Sequence, residues 1–453
     1  MITAIELATA LRPSLVKAPT VGPLKFRHAV VDSRKAGKGD VFVALKGEQA
    51  DGHDFVAHAA QRGATAAIVE RAVDAEIAQY VVRDSLKALQ TLAWHRRQER
   101  QKVKVVAITG SVGKTTTKEL TAAVLGTRYP LLKNEGNLNS EIGLPLVLLE
   151  LNQRHRRAVL EMGMWAKGEI ALLCDIALPD VGIVTNVGLS HMERLGSIEA
   201  IADAKAELVE SLDEEGIAIL NADDPRVASM ASRTTAHVVT YGVAPDADVR
   251  AEEIESHGLA GVKFTLVHGD ERAHVYSRLP GRQLVYNALA AAAAGITDGI
   301  DVPDVAEAIS EAQIPLRLRQ VRGINGSVLI DDTYNASPSS MAAALDLLAE
   351  VPGRKIAVLG DMRELGDAER QGHADVGAHA ARVADVVVAV GQLGRWIGDA
   401  AVAAGHSDVR IVVDKEEIAP ALRDLLREGD VVLFKASRAL ALETVVEELK
   451  EDA

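Results

Sequence analysis

The chain has 453 residues, with 50 Lys and Arg against 64 Asp and Glu, giving a formal net charge of −14. The apolar fraction of 48% and the charged fraction of 25% are those of ordinary globular proteins and exclude a disordered or collagen-like chain. An acidic chain lacks the basic surface that nucleic acids and anionic membranes require, so we expect neither as a partner.

The two ends of the chain and its cysteine content indicate a cellular compartment. The first residues, MITAIELATALRPSL, contain Glu6 and no basic segment before an apolar core, so we expect no signal peptide. The apolar stretch near residues 284–297 is shorter than the roughly 20 residues that a bilayer requires. A lone cysteine, Cys174, is typical of a reducing compartment. We therefore expect a cytoplasmic protein. We also expect a monomer.

At roughly 150 residues per domain the length predicts about three domains. Residues 1–101 contain the short apolar runs HAVVDS, DVFVAL and AAIVE, which indicate a small mixed α/β domain. The polar run HRRQERQK then precedes a new apolar run, and we place the first boundary there. A second break, PLRLRQVRGINGS, begins at residue 315.

The two longer blocks share one pattern. In residues 102–313 a strand at 103–109, a glycine loop and a helix at 114–128 are followed by AVLEMG, VGIVTNVG and IAILNADD. In residues 314–453 the runs are VLIDD, KIAVLGD, DVVVAVG, RIVV and DVVLFKAS. Continuous apolar runs that alternate with helices predict parallel sheets covered on both faces, so each block is predicted to be an α/β domain.

The sequence ITGSVGKTTTKE, residues 108–119, follows a predicted strand and opens a predicted helix. This is the context in which a glycine-rich loop binds phosphate, through backbone N–H groups and the positive end of the helix. Lys114 would neutralise the terminal phosphates and Thr115 would hold Mg²⁺. The predicted nucleotide contacts are Gly110, Ser111, Val112, Gly113, Lys114, Thr115 and Thr116. The alternative is a tight turn with a surface lysine.

The loop alone indicates only a nucleoside triphosphate. The N-K-x-D motif by which GTPases read the base is absent. The run AVLEMG ends in Glu161, and Mg²⁺ prefers one or two carboxylates together with phosphates and water. Glu161 is thus a candidate magnesium ligand, and a solvated strand-end glutamate is the alternative.

Eight segments carry a resemblance that covers nearly the whole chain. They are ITGSVGKTTTKE, NEGNLNSEIGLP, LEMGMWAKGEI, TNVGLSHMERLGS, AKAEL, DDTYNASPSSM, LGDMRELG and KASR, in this order. Together they resemble the Mur ligases. The resemblance implies a UDP-sugar-binding first domain, a central P-loop ATPase domain and a C-terminal doubly wound, Rossmann-like domain that binds the incoming substrate.

The resemblance also implies the reaction, which is ATP-driven amide formation. A substrate carboxylate attacks the γ-phosphate to give an acyl phosphate, and an amine then displaces phosphate. LGDMRELG and DDTYNASP resemble the members that add D-alanyl-D-alanine to a UDP-MurNAc-tripeptide in peptidoglycan synthesis, with lysine or diaminopimelate as the third peptide residue left open.

The resemblance assigns further roles to individual residues. Beside Thr115 and Glu161, His191 matches a metal-site histidine and Lys205 a carbamylated lysine. Without the resemblance these two would be a hydrogen-bonded loop histidine and a solvated helical lysine. The implied catalytic residues are Lys114, His191, Lys205 and Arg317.

Other matches concern the nucleotide and the two substrates. Asn287 matches an adenine contact, although it could instead cap its alanine-rich helix. Arg317 matches an arginine that reaches the phosphates, with Arg319 as the alternative, and Asp332 matches a ribose- or phosphate-side aspartate. The implied substrate contacts are Ser33, Arg34, Lys46, Asn137, Asn139, Tyr334, Asn335, Lys435 and Arg438.

Two other interpretations stay open at this point. One is a sibling ligase that adds diaminopimelate or lysine, or a folylpolyglutamate-like enzyme, although the D-N-P-R motif of the diaminopimelate-adding ligases is absent. The other is a nucleotide-binding regulator without catalysis.

Overall fold

A computed structural model of the chain describes residues 1–19, 22, 25–314 and 318–451. Within these residues the strands form four sheets, of two, five, nine and six strands. The three larger sheets are built mainly from parallel strands with helices packed on them. The predicted α/β class is therefore confirmed.

The first part of the chain contains a small mixed sheet. Its elements are β1 (Ile2–Thr3), α1 (Ala4–Leu11), β2 (Leu15–Lys17), β3 (Lys25–Phe26), β4 (Ala29–Val30), β5 (Val41–Val43), α2 (Val56–Gln61), β6 (Ala66–Val69), β7 (Ala78–Val82) and α3 (Ser85–Gln98). The five-stranded order is β2-β7-β6-β5-β4, in which only β2 is antiparallel to its neighbour. A capping box formed by Thr3 and Glu6 begins α1, and the Asp84 side chain caps α3.

The central part is built around a nine-stranded sheet of order β16-β15-β14-β13-β12-β11-β8-β10-β9. The elements are β8 (Lys104–Thr109), α4 (Lys114–Gly126), β9 (Leu131–Lys133), α5 (Gly143–Leu148), β10 (Arg157–Glu161), α6 (Glu169–Ala177), β11 (Val181–Val184), α7 (Met192–Leu195), α8 (Ile198–Glu210), β12 (Ile217–Asn221), α9 (Pro225–Ala228), β13 (His237–Gly242), β14 (Val249–Ser256), β15 (Val262–His268), β16 (Glu271–Ser277), α10 (Leu284–Thr297) and α11 (Val302–Glu311).

The central sheet is parallel from β9 to β14, and β15 and β16 extend it as antiparallel strands. The four continuous apolar runs of this block form the strands β8, β10, β11 and β12, as predicted. The antiparallel extension was not predicted, because β14 alternates buried and exposed residues and carries acidic side chains on its open face. The predicted helix 114–128 ends two residues earlier, at Gly126.

The last part contains a six-stranded sheet of order β17-β18-β22-β19-β20-β21, with β17 alone antiparallel. Its elements are β17 (Arg319–Arg322), β18 (Val328–Asp331), α12 (Pro338–Glu350), β19 (Arg354–Gly360), α13 (Glu369–Val383), β20 (Val386–Val390), α14 (Gly391–Ala403), β21 (Val409–Val412), α15 (Ile418–Leu425), β22 (Asp430–Lys435) and α16 (Glu443–Leu449). All five predicted apolar runs form strands here. The edge strand β17 occupies part of the polar stretch that we interpreted as a break.

One helix joins the first sheet to the central sheet. The polar run at residues 95–102 begins inside α3, and its Arg96 and Arg97 are buried. A single apolar cluster extends from Phe26 through Leu89 to Leu148, across both parts of the chain. Among the described residues no helix is long and apolar enough to cross a membrane.

Candidate active site

The phosphate loop lies between β8 and α4, at the carboxyl edge of the central sheet. Gly110 and Gly113 have φ values of +148° and +86°. A Cβ at Gly110 would collide with the Thr185 hydroxyl, and one at Gly113 with the Asn287 amide, so neighbours close the loop from outside. The loop is therefore confined to glycine at both positions, and the first turn of α4 presents backbone N–H groups beside it.

Lys114 and Thr115 open α4, at the positions that the sequence assigned to phosphate and magnesium. The Nζ atom of Lys114 lies 2.7 Å from the Gly110 carbonyl oxygen. Thr115 donates its hydroxyl proton to Oε2 of Glu161 at 2.8 Å. Asn139 donates to Oε1 of the same carboxylate, also at 2.8 Å. Glu161 is only 2% exposed, which excludes the alternative of a solvated strand end.

Asn134 holds the backbone of Glu161 and was not singled out from the sequence. It is fully buried, its Oδ1 accepts a hydrogen bond from the Glu161 N–H at 2.9 Å, and its Nδ2 donates to the Glu161 carbonyl at 3.0 Å. The same Nδ2 donates to the Leu138 carbonyl at 3.0 Å. The buried Lys118 ammonium donates to the Asn134 carbonyl at 2.6 Å. Asn134 therefore ties the loop at residues 134–142, which we call the asparagine loop, to the end of β10.

Lys205 lies on α8, as the sequence predicted, and is 1% exposed. Burial is the main cause that lowers the pKa of its ammonium well below the usual value, and the charge of Lys114 lowers it further. This environment excludes the alternative of a solvated helical lysine. It also favours the neutral amine, which is the nucleophilic form.

His191 precedes α7 in the left-handed conformation, with φ of +60°. Its Nδ1 lies 2.7 Å from Oε2 of Glu364, and this hydrogen bond is the main cause that lowers the pKa of Glu364. The ring packs against Trp165 with 5.8 Å between centroids. Among the described residues no group of three or more His, Cys, Asp and Glu side chains is arranged to hold a metal ion. The four predicted metal-site residues are Thr115, Glu161, His191 and Lys205. Of these, Thr115 and Glu161 are joined by a hydrogen bond.

Asn287 lies inside α10 and does not cap it, because the capping position belongs to Gln283. Its Nδ2 donates to Oγ1 of Thr117 at 3.0 Å and to the Gly113 carbonyl at 3.3 Å. Asn287 therefore contacts the phosphate loop from the side of α10. The alternative that it caps the helix is wrong.

The predicted residues of the last sheet form two adjoining groups. Lys435 donates to Oδ2 of Asp332 at 2.7 Å and to the Asn335 carbonyl at 2.9 Å. The Arg438 guanidinium lies 5.3 Å from the centroid of the Tyr334 ring. The Tyr334 hydroxyl donates to Oδ1 of Asn137, which belongs to the asparagine loop of the central part. A described contact thus joins the two parts of the chain at the predicted site.

Two arginines were candidates for the phosphate contact. Arg317 lies outside the described residues. Arg319 is on β17, where Nη2 donates to Oδ2 of the buried Asp331 at 2.6 Å. Arg319 is therefore engaged within its own sheet.

Comparisons with known proteins agree with this architecture. Three family models match the chain: the Mur ligase family, catalytic domain at residues 26–105, the Mur ligase middle domain at 108–295, and the Mur ligase, glutamate ligase domain at 316–438. The UDP-N-acetylmuramoyl-tripeptide–D-alanyl-D-alanine ligase of Bacillus subtilis strain 168 is 41% identical over 433 residues, covering 94% of this chain and 93% of that protein. The chain belongs to the Mur ligase family.

Two solved structures of Mur ligases are similar to this chain over most of its length. A crystal structure of MurF from Acinetobacter baumannii has a TM-score of 0.90 at 35% identity, covering 99% of this chain and 98% of that one. The MurF ligase from Thermotoga maritima, solved in complex with ADP, has a TM-score of 0.82 at 33% identity, covering 93% and 96%.

In the first domain of this Mur ligase, the contacts of the predicted uridine-side residues lie within that domain. Ser33 is buried and its Oγ lies 3.0 Å from Nδ1 of His58. The exposed Arg34 forms two hydrogen bonds to Asp32, which lower the pKa of that carboxyl to about 2. Lys46 pairs with Asp51 in an isolated bridge. Among the described residues, no side-chain hydrogen bond or ion pair joins Ser33, Arg34 and Lys46 to one another.

Proposed function

We propose that this Mur ligase forms an amide bond between UDP-MurNAc-tripeptide and D-alanyl-D-alanine, driven by ATP, in peptidoglycan precursor synthesis. The observation that carries the proposal is the near full-length similarity to ligases named for this reaction, at 41% and 38% identity. The hydrogen bond between Tyr334 and Asn137, which joins two predicted substrate contacts from different parts of the chain, supports it. A cytoplasmic location is part of the proposal, because the reaction consumes ATP and a UDP-linked substrate.

The residues at the phosphate loop fit ATP with magnesium. Gly110 and Gly113, where a Cβ would meet Thr185 and Asn287, shape the loop at the N-terminus of α4, where backbone N–H groups bind phosphate. Thr115 and Glu161 offer a hydroxyl and a carboxylate oxygen, the donors that Mg²⁺ prefers. These two residues would hold the ion, and the ion would neutralise phosphate charge. Asn139 donates to the Glu161 carboxylate, and Asn134 holds the backbone of the same residue.

Lys205 is proposed to be carbamylated. Its buried amine has a depressed pKa, and a neutral amine adds to CO₂ with formation of an N–C bond and release of one proton. The product carries a carboxylate-like head, which would serve as a further oxygen ligand in addition to His191.

The chemistry requires two anions, a carboxylate and a triphosphate, to meet. Lys114 supplies positive charge at the loop, and Arg317 is proposed to add more from the C-terminal domain. Attack of the peptide carboxylate on the γ-phosphate of ATP gives the acyl phosphate and releases ADP, and the amine of the dipeptide then displaces phosphate. The chain contributes mainly positioning and electrostatic stabilisation, which account for most of the catalysis of phosphoryl transfer.

Because Asp332 and Arg317 belong to the C-terminal domain and Lys114 to the central domain, the reaction requires these domains to approach each other. Small-angle scattering on the free chain, and with ATP analogue and UDP-MurNAc-tripeptide, should show a smaller radius of gyration in the complex. An unchanged radius would contradict a closing step.

The direct test measures phosphate release by the purified chain with ATP and Mg²⁺. UDP-MurNAc-tripeptide, in its lysine and diaminopimelate forms, and D-alanyl-D-alanine are added singly and together, and mass spectrometry identifies the product. We expect turnover only with both substrates, yielding UDP-MurNAc-pentapeptide. Turnover with single amino acids instead of the dipeptide would favour a sibling ligase, and ATP binding without any turnover would favour a regulator.

A further inference from the structure

Glu364 and His191 meet across the joint between the central and C-terminal domains. Glu364 follows β19 in the segment LGDMRELG, and His191 precedes α7. Both residues are in the left-handed region, with φ of +66° and +60°. This conformation is uncommon for residues other than glycine and persists where the surrounding structure imposes it. The two backbones are therefore held in unusual conformations at the point where the side chains touch.

The segment at residues 188–193, which we call the coupling segment, contacts both domains. On the phosphate-loop side, the Gly188 N–H donates to Oγ of Ser111 at 2.8 Å, and Ser190 donates to the same oxygen at 3.1 Å. On the other side, the Glu193 N–H donates to the Glu364 carbonyl at 3.1 Å. Leu189 packs against the apolar core of the C-terminal domain. The coupling segment thus links the phosphate loop directly to the segment that carries Glu364.

A carboxylate at one ring nitrogen determines the tautomer of a histidine. With Glu364 accepting from Nδ1–H at 2.7 Å, the Nε2 atom keeps its lone pair, which is the form that binds a metal. The ring is also packed against Trp165, which lies under the Arg194 guanidinium at 4.7 Å. This tilted packing restricts the plane of the His191 ring but does not select between its two nitrogens. Selection of the tautomer therefore depends on Glu364.

We propose that Glu364 is a positioning residue that prepares His191 for a metal ion only when the C-terminal domain is docked. The inference rests on the proposed function, in which His191 belongs to the magnesium side of the site. The carboxylate comes from one domain and the histidine from the other, so opening of the joint removes the partner of Nδ1. The metal site is therefore prepared only when the domain that brings the dipeptide docks.

The first test observes His191 without metal or substrates. The full chain is labelled with ¹⁵N-histidine, and the His191 signals are identified by their loss in His191→Gln. At a pH where the ring is neutral we expect Nδ1–H in the parent chain and a mixture of tautomers in Glu364→Ala. Glu364→Gln should keep the parent pattern, because its amide oxygen still accepts a hydrogen bond. Unchanged His191 signals in Glu364→Ala would overturn the proposal.

The second test measures the Mg²⁺ concentration that half-saturates turnover. Loss of a partner that orients a metal-binding histidine typically costs about 10–100-fold in metal affinity or activity, and we expect a rise of this size in Glu364→Ala. Asp367→Ala is the matched control, since it removes an exposed carboxylate from the same loop and should change neither readout. A lower kcat at an unchanged Mg²⁺ requirement would overturn the role in metal binding. If the parent chain has no ligase activity, the proposed function fails, whereas the tautomer measurement still decides the geometry.

Discussion

The two joints of the molecule differ in how their polar groups are placed. At the joint between the first and central domains, Arg96 is 1% exposed and pairs with Glu6 at 2.6 Å. Its guanidinium also donates to the carbonyls of Leu149, Leu151 and Met1 at 2.8–3.0 Å. One guanidinium thus joins the chain terminus, α3 and the segment after α5.

At the joint between the central and C-terminal domains, the polar contacts are solvent-accessible pairs, beside the apolar packing of Leu189 and Leu259. His191 and Glu364 expose 24% and 37% of their side chains, and Tyr334 and Asn137 also meet at the surface. Ser256 donates to Glu350 at a third exposed contact. Such hydrogen bonds can be exchanged for bonds to water at little cost, whereas a buried charge cannot. Because the buried Arg96–Glu6 pair makes the first joint costlier to open, we expect domain opening to occur at the second joint.

The largest expected effect breaks the buried joint. Arg96→Ala leaves the mostly buried Glu6 carboxylate and three carbonyls without their partner, and removal of one member of a buried ion pair typically costs about 3–5 kcal/mol. We expect a loss of this size in the free energy of unfolding, measured by urea denaturation followed by circular dichroism.

Lys87→Ala is the matched control, because Lys87 is an exposed basic residue on the same helix and should change stability by less than about 0.5 kcal/mol. A comparable, small effect of Arg96→Ala would show that the apolar cluster alone holds the first joint.

The next effect concerns catalysis in the central domain, which carries Lys205 on α8. Lys205→Met removes the buried amine, and Lys205→Arg replaces it with a guanidinium that stays charged and cannot be carbamylated. Since even partners of metal ligands contribute about 10–100-fold, we expect either variant to lose at least about 10²-fold in kcat. Phosphate release in the complete assay measures this loss.

Carbon dioxide provides the control for that interpretation. The parent chain, prepared in buffer depleted of CO₂, should lose activity and regain it with bicarbonate, whereas neither variant should respond. Full activity of the parent chain without bicarbonate, together with an active Lys205→Arg, would show that Lys205 acts without a carbamate.

Local patterns predicted the parts of the site that one strand, loop and helix create. The phosphate loop lies within 12 consecutive residues, and its strand and helix form where the pattern places them. Lys205 was placed on a helix by its neighbours in sequence, although its burial was not evident from them. The three-layer α/β architecture likewise follows from continuous apolar runs, as β8, β10 and β11 show.

Contacts between distant residues could not be predicted in the same way. Asn134 acts by replacing a backbone partner of Glu161, 27 residues away, and nothing in a single sequence marks an asparagine for that role. Arg96 and Arg97 belong to a run that is typical of a solvated break, and their burial depends on carbonyls more than 50 residues away. The role of Glu364 depends on the docking of two domains, which no local pattern encodes.

The smallest expected effect sharpens the description of the second joint. Tyr334→Phe removes one exposed hydrogen bond to Asn137 and keeps the ring beneath Arg438. A neutral hydrogen bond contributes about 1 kcal/mol, so we expect about a fivefold fall in kcat/KM for the dipeptide with unchanged stability. Tyr276→Phe, an exposed tyrosine on β16, is the control and should leave kcat/KM unchanged. A fall of more than about 10²-fold in Tyr334→Phe would mean that its hydroxyl contacts the reacting groups, because an exposed interdomain hydrogen bond cannot account for so large a loss.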